Sequence, residues 1–181
     1  MNPYPNFTAL HGPGRQYRSS GEALRKFEGL LPIELLKFWA SQGFSSYCGG
    51  LLWVTDPTDF EHVLEEWMDI SKAPLVFART AWGGLYFWED GMAKVLHVWT
   101  GKVVKMTSEI SLLFESSFTT ESYLEKALAA SLFRDILKRL GPLGPDECYG
   151  FVPAIQLGGE LQQASAHKVK LKEHLSILSQ L

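Results

Sequence analysis

Apolar positions along this 181-residue chain change period twice. In LPIELLKFWASQG, residues 31–43, Ile33, Leu35, Leu36, Phe38 and Trp39 recur at helical spacing; Pro32 suits the opening of that helix and Gly43 its end. LLWVT follows Gly49-Gly50 and reads as a short buried strand. DPTDFEHVLEEWMDI, residues 56–70, reads as a helix again. Asp56 can cap it, Pro57 fits its first position, Asp59 stands where a capping-box acid would, and Phe60, Val63, Leu64, Trp67 and Met68 share a face. The period then shortens to that of strands. PLVFART, LYFWED, AKVLHVWT and KVVKMT are separated by Gly83-Gly84, Glu89-Asp90-Gly91 and Thr100-Gly101, which predicts an antiparallel meander of three or four strands. From Ser117 the helical period returns: Tyr123, Leu124, Leu128, Leu132, Phe133, Ile136, Leu137 and Leu140 form one broad face that Gly141 ends.

The flanks are less regular. Residues 1–20 hold three Pro and two Gly and predict an irregular arm on the surface. GPLGPDECYGFVPAIQLGGE reads as a loop with one short extended piece, and HKVKLKEHLSILSQL as a strand that finishes as a helix. The fold class that follows is α+β: an antiparallel meander with helices packed on one side of it, and a smaller, mostly helical C-terminal sub-domain. The clearest seam lies near residues 108–118, so the expected division is 1–108 and 109–181.

Charge changes the picture at one place. The formal net charge is −3, yet residues 1–71 carry nine acids against five basic residues. Glu61, Glu65 and Asp69 stand at successive i, i+4 positions of the expected helix, with Glu66 beside them and no Lys or Arg from Asp56 to Ser71. Like charges at that spacing cost an exposed helix roughly 0.2–0.5 kcal/mol per pair. Such a face either keeps the chain in solution or presents a field to a basic partner. The remainder, 46% hydrophobic and 13% aromatic, is ample for a packed core and wrong for a disordered chain. No apolar run approaches the roughly 20 residues a membrane helix needs. The opening MNPYPNFTALHGPGRQYR lacks a basic start followed by an apolar stretch, so no secretory signal and a cytoplasmic location are expected.

Candidate chemistry is sparse. Cys48 and Cys148 are isolated, with no CxxC and no neighbouring His, so two reduced thiols are expected and no zinc site. The five His have no metal-ligand spacing; there is no phosphate loop, dinucleotide fingerprint or GxSxG elbow. Cys48 as a nucleophile would need a base that the sequence does not name, which favours a packing role. Tyr86, Trp88 and Trp99 read as core or cross-strand aromatics. No catalytic, cofactor-binding or metal-ligating residue is expected. The pI near 6.0 and the absence of a basic stripe argue against direct contact with nucleic acid.

Two blocks carry a family resemblance. Leu31-Pro32, Phe38-Trp39, Gly49-Gly50-Leu51, Trp53, Asp56-Pro57, Trp67 and Phe77-Ala78-Arg79-Thr80 before Gly83-Gly84 resemble the GAD-like domain. Leu140-Gly141, Leu143, Asp146-Glu147, Tyr149-Gly150-Phe151, Pro153 and Leu157-Gly158-Gly159, with the closing KVKLKEHLSILSQL, are similar to the C-terminal domain of type VI secretion immunity proteins. The resemblance implies a protein that binds and neutralises a cognate type VI toxin, often a DNase, without catalysis or cofactor. The toxin-facing surface expected on local grounds is Glu61, Glu65, Glu66 and Asp69. Its rival is the loop Gly141–Glu160, whose Asp146, Glu147, Tyr149 and Phe151 offer the mixture common at interface hot spots. The competing reading is an intracellular interaction or regulatory module with no toxin partner; an enzyme would need a cluster of titratable residues that the sequence does not supply.

Overall fold

The computed structural model describes residues 2–69 and 74–181. Its centre is a seven-stranded antiparallel sheet in which every strand lies beside its sequence neighbours. The strands are β1 (Arg15–Arg18), β2 (Phe44–Tyr47), β3 (Leu52–Val54), β4 (Leu75–Thr80), β5 (Leu85–Glu89), β6 (Met92–His97) and β7 (Lys102–Thr107). The meander the sequence announces is therefore present and longer than expected. Its tightest hairpin joins Glu89 to Met92 across Asp90 (φ 51°) and Gly91 (φ 73°). Two successive left-handed residues are what a two-residue hairpin requires, and Asp-Gly supplies them at low cost.

Both faces of the central strands are covered. On β5, Tyr86 joins a large core with Phe38, Phe114 and Phe118, while Leu85 and Phe87 point into a second core with Phe60, Leu64, Leu171 and Leu175. The first core lies under helices α1 (Pro5–His11), α2 (Gly21–Lys26), α3 (Ile33–Gln42), α4 (Ile110–Glu115), α5 (Glu121–Lys126) and α6 (Ala130–Leu140). The second lies under the 56–69 segment and the last helix, α7 (Leu171–Leu178). Helices thus pack on both sides of the sheet, which is why β4 and β5 read as near-continuous apolar runs. Each fully buried aliphatic or Phe side chain stabilises the fold by roughly 1.5–3 kcal/mol.

A separate two-stranded sheet, β8 (Glu147–Phe151) with β9 (Ala166–Lys170), joins the large one through the β4–β5 turn: the Tyr149 N–H donates to the Ala81 carbonyl at 2.8 Å. Trp82 sits at this junction. Its indole N–H donates to the Leu128 carbonyl at 2.7 Å, and its rings lie 5.6 Å from Phe151 and 5.6 Å from Trp99. One core therefore runs from the N-terminal residues to β9.

Four expectations are corrected. Helices cover both faces of the sheet and not one, because the side chains of β5 alternate between two cores. The first 20 residues are not an irregular surface arm. Tyr4 and Phe7 are fully buried, Tyr4 stacks on Phe114 at 4.3 Å, and the Glu115 carboxylate accepts from the Asn6 and Phe7 N–H groups at the start of α1. The Pro and Gly residues shape the helix start at Pro5 and the turn before β1 rather than disorder. Residues 56–69 are not one helix: two short 3₁₀ turns, Pro57–Phe60 and Leu64–Glu66, flank His62 at φ 72°. The break at Glu61-His62 lets Phe60 and Leu64 both reach the sheet. Ile70, the end of the expected helix, lies outside the described residues. The 117–140 helix is likewise split. Ala129 is left-handed (φ 50°, ψ 48°), and the Leu128 carbonyl is taken by Trp82 rather than by a continuing helix.

Candidate partner-binding surface

The acidic segment keeps its charge at the surface but not as a helical stripe. Glu61, Glu65, Glu66 and Asp69 are all exposed. Their neighbours come from remote parts of the chain. Lys26 Nζ lies 2.8 Å from Glu61, and Arg18 donates twice to Asp59 (3.1 and 2.5 Å) and lies 3.5 Å from Asp56. The counter-charge missing from Asp56 to Ser71 is thus supplied by tertiary structure at the start of the segment. Farther along, Glu65 meets the exposed imidazole of its neighbour His62 at 3.0 Å, and Glu66 accepts a weak bond from Ser179 Oγ at 3.4 Å. Among the described residues, no Lys or Arg pairs with Glu65, Glu66 or Asp69.

The rival loop divides differently. Tyr149 and Phe151 are buried, 0% and 4% exposed, because β8 has packing on both faces. Tyr149 Oη donates to the Gly141 carbonyl at 2.6 Å, and burial pushes its phenol up to about 12. Neither aromatic is available to a partner, which corrects the expectation of an exposed hot-spot pair. Glu147 accepts from the Gly144 N–H at 2.8 Å and closes the turn before β8. Asp146 is exposed and ion-paired with Lys170, which holds its carboxyl below the usual carboxylate range. The large apolar side chains exposed in the loop are Val152 (63%) and Leu157 (64%), with Leu161 (44%) just after it. The periodicity of β8 could not have separated them from Tyr149 and Phe151, since exposure here depends on what α6 and α7 cover.

The two surfaces border neighbouring clefts. One of about 540 Å³ has Tyr17, Asp59, Phe60, Asp146, Lys170 and Leu171 among its walls. A smaller one of about 200 Å³, also lined by Phe60, is bordered by Glu61 and Glu65. Asp59 and Asp146 thus share one cleft, and Glu61 and Glu65 lie on the next. Arg79 fixes the position of the Asp146 turn. It is fully buried on β4, stacks over Trp53 at 4.3 Å, and donates to the carbonyls of Thr80, Gly144 and Pro145 at 3.2, 3.4 and 3.1 Å. Burial lowers its pKa to about 10, and no carboxylate is paired with it among the described residues.

No group of three or more His, Cys, Asp and Glu residues with metal-binding geometry occurs among the described residues. Nor is any described helix long and apolar enough to cross a membrane.

Comparisons with known proteins identify the family. Residues 6–102 match the GAD-like domain, and residues 107–181 match the C-terminal part of the T6SS immunity protein Tdi1. The chain belongs to the GAD-like family and has the arrangement of a type VI secretion immunity protein. Its fold is similar to the crystal structure of Atu4351 from Agrobacterium tumefaciens, with a TM-score of 0.76 over 98% of this chain and 88% of that one. Sequence identity there is 15%, so the likeness concerns the fold alone. No curated protein is matched by sequence.

Proposed function

We propose that the protein is a stoichiometric inhibitor of a cognate type VI effector, acting in the cytoplasm of the cell that makes it and without catalysis. The order of the two family segments carries this reading: a GAD-like domain followed by a Tdi1-type C-terminal part. The partner is a nuclease domain. An enzyme that grips phosphates surrounds its active site with Lys and Arg, and an inhibitor presenting carboxylates can occupy that surface. Glu61, Glu65, Glu66 and Asp69, with Asp146 on the neighbouring cleft and Glu147 shaping its turn, supply the acidic contact. Val152, Leu157 and Leu161 supply apolar area. The exposed Lys26–Glu61 and Lys170–Asp146 pairs are screened by solvent and contribute little to the fold, so a partner can exchange them at little cost.

The test uses the full chain and the toxin domain encoded beside it. Glu65→Lys, Glu66→Lys and Asp69→Lys together should slow association about tenfold or more at low salt, with the deficit shrinking as salt rises. Equal association rates for the parent and the triple variant at low salt would refute the acidic interface. Failure to form a 1:1 complex with that domain at all would refute the inhibitor reading.

A further inference from the structure

On the opposite side of the Pro142–Pro145 segment lies a second cleft, of about 490 Å³, whose walls include His11, Arg15, Tyr47, Cys48 and Trp53. Cys48 follows β2 on a sharp turn in which three successive residues have positive φ: Cys48 at 53°, Gly49 at 68° and Gly50 at 101°. The two glycines adopt this freely, but Cys48 does not, and such backbone outliers gather at functional sites because the surroundings must enforce them. His11, the last residue of α1, reaches the same point. Its Nδ1 lies 3.1 Å from Cys48 Sγ, and its Nε2 lies 2.7 Å from the Phe118 carbonyl. A carbonyl can only accept, so Nε2 carries the proton and Nδ1 turns a lone pair to the thiol. Nucleophile, base and orienting group are thus within hydrogen-bond reach of one another, drawn from residues 37 and 107 apart in sequence.

We infer that Cys48 and His11 form a nucleophilic pair that takes an acyl group from an ester or thioester bound in this cleft. In the step, the Cys48 S–H proton passes to His11 Nδ1 as sulfur bonds to the acyl carbon. The ester C–O or thioester C–S bond then breaks, and the leaving alcohol or thiol departs with the proton from the imidazolium. Nothing is oxidised or reduced, and the product is an S-acyl Cys48. Burial pushes the Cys48 thiol up to about 12, so the resting group is the thiol and the imidazole must act during attack rather than before it. Cys148, 0% exposed inside the second core, serves as an internal reference.

The experiment treats the folded full chain with p-nitrophenyl acetate near neutral pH and follows p-nitrophenolate release and peptide mass. The expected result is about one equivalent released per chain with the acetyl group on Cys48. The rate should fall about 100-fold in His11→Gln, and free imidazole should restore part of the rate in His11→Ala. An unchanged rate in His11→Gln, or acetylation confined to Cys148 or lysines, overturns the proposal. Folding of each variant is checked by circular dichroism. A second comparison does not depend on the variants: an unassisted buried thiol reacts more slowly in the folded chain than in urea. Faster acetylation of folded than of unfolded Cys48 supports the pair, and slower acetylation overturns it.

Discussion

Gly150→Ala tests how the last helix is seated on β8. An added Cβ at this position would lie 2.7 Å from His174 Cε1, 2.9 Å from His174 Nε2 and 3.2 Å from Val169 Cγ2. Ordinary carbon contacts are about 3.5–4.0 Å, so the imidazole must retreat by roughly 1 Å. It belongs to the half-buried His174 of α7, between the buried Leu171 and Leu175, so the ring must rotate outward or the helix must shift. Overpacking of this kind costs about 1–3 kcal/mol, offset by the roughly 0.5–1 kcal/mol that Ala gains over Gly within a strand. A net loss of about 1–2 kcal/mol is expected. With a urea slope of about 1–3 kcal/mol per molar, the midpoint should drop by roughly 0.5–1 M at unchanged slope. His174→Ala removes the obstructing ring, so in that background Gly150→Ala should cost nothing or stabilise slightly. Equal costs in the two backgrounds, or a Gly150→Ala protein as stable as the parent, would refute the steric argument.

Arg79→Ala should lose about 2–3 kcal/mol in urea unfolding, since it leaves a cavity against Trp53 and strips the Gly144 and Pro145 carbonyls of their donor. A loss below about 1 kcal/mol would mean that the Asp146 turn holds itself in place without Arg79. Ala129→Gly should stabilise by about 1 kcal/mol, because glycine adopts φ 50° without a Cβ penalty. Lys170→Met should raise the Asp146 pKa toward its ordinary value, read by NMR titration. The folded pKa is lowered by Lys170, so the pair's small contribution is present above the unfolded carboxylate pKa and fades as pH falls through the folded one. An unmoved Asp146 titration would show that the ion pair does not form in solution.

Much of the architecture was legible because its signals are local. The short β-branched and aromatic runs from β4 to β7 and the Asp90-Gly91 turn specify a meander whatever packs on it, and Pro32 with Gly43 bounds α3 within a residue at either end. The same holds for β9 running directly into α7. Where a long helical period was interrupted, the interruption was imposed from elsewhere. Trp82 takes the Leu128 carbonyl from another part of the chain, and the sheet draws Phe60 and Leu64 inward on either side of His62. No local propensity records either event. The N-terminal segment was misread for the same reason, since Tyr4 and Phe7 are held by Phe114 and Glu115, over 100 residues away.

The candidate surface divides along the same line. The sequence by itself determined that residues 56–69 carry acid without local counter-charge, and that the chain ends in a strand and a helix, because composition and period are properties of neighbouring residues. Only the tertiary structure decided that Lys26 and Arg18 neutralise the start of that segment, that Tyr149 and Phe151 are core, that Asp146 and Asp59 border one cleft, and that His11 meets Cys48. Each of those depends on which remote side chains the packing of two cores brings within a few ångströms.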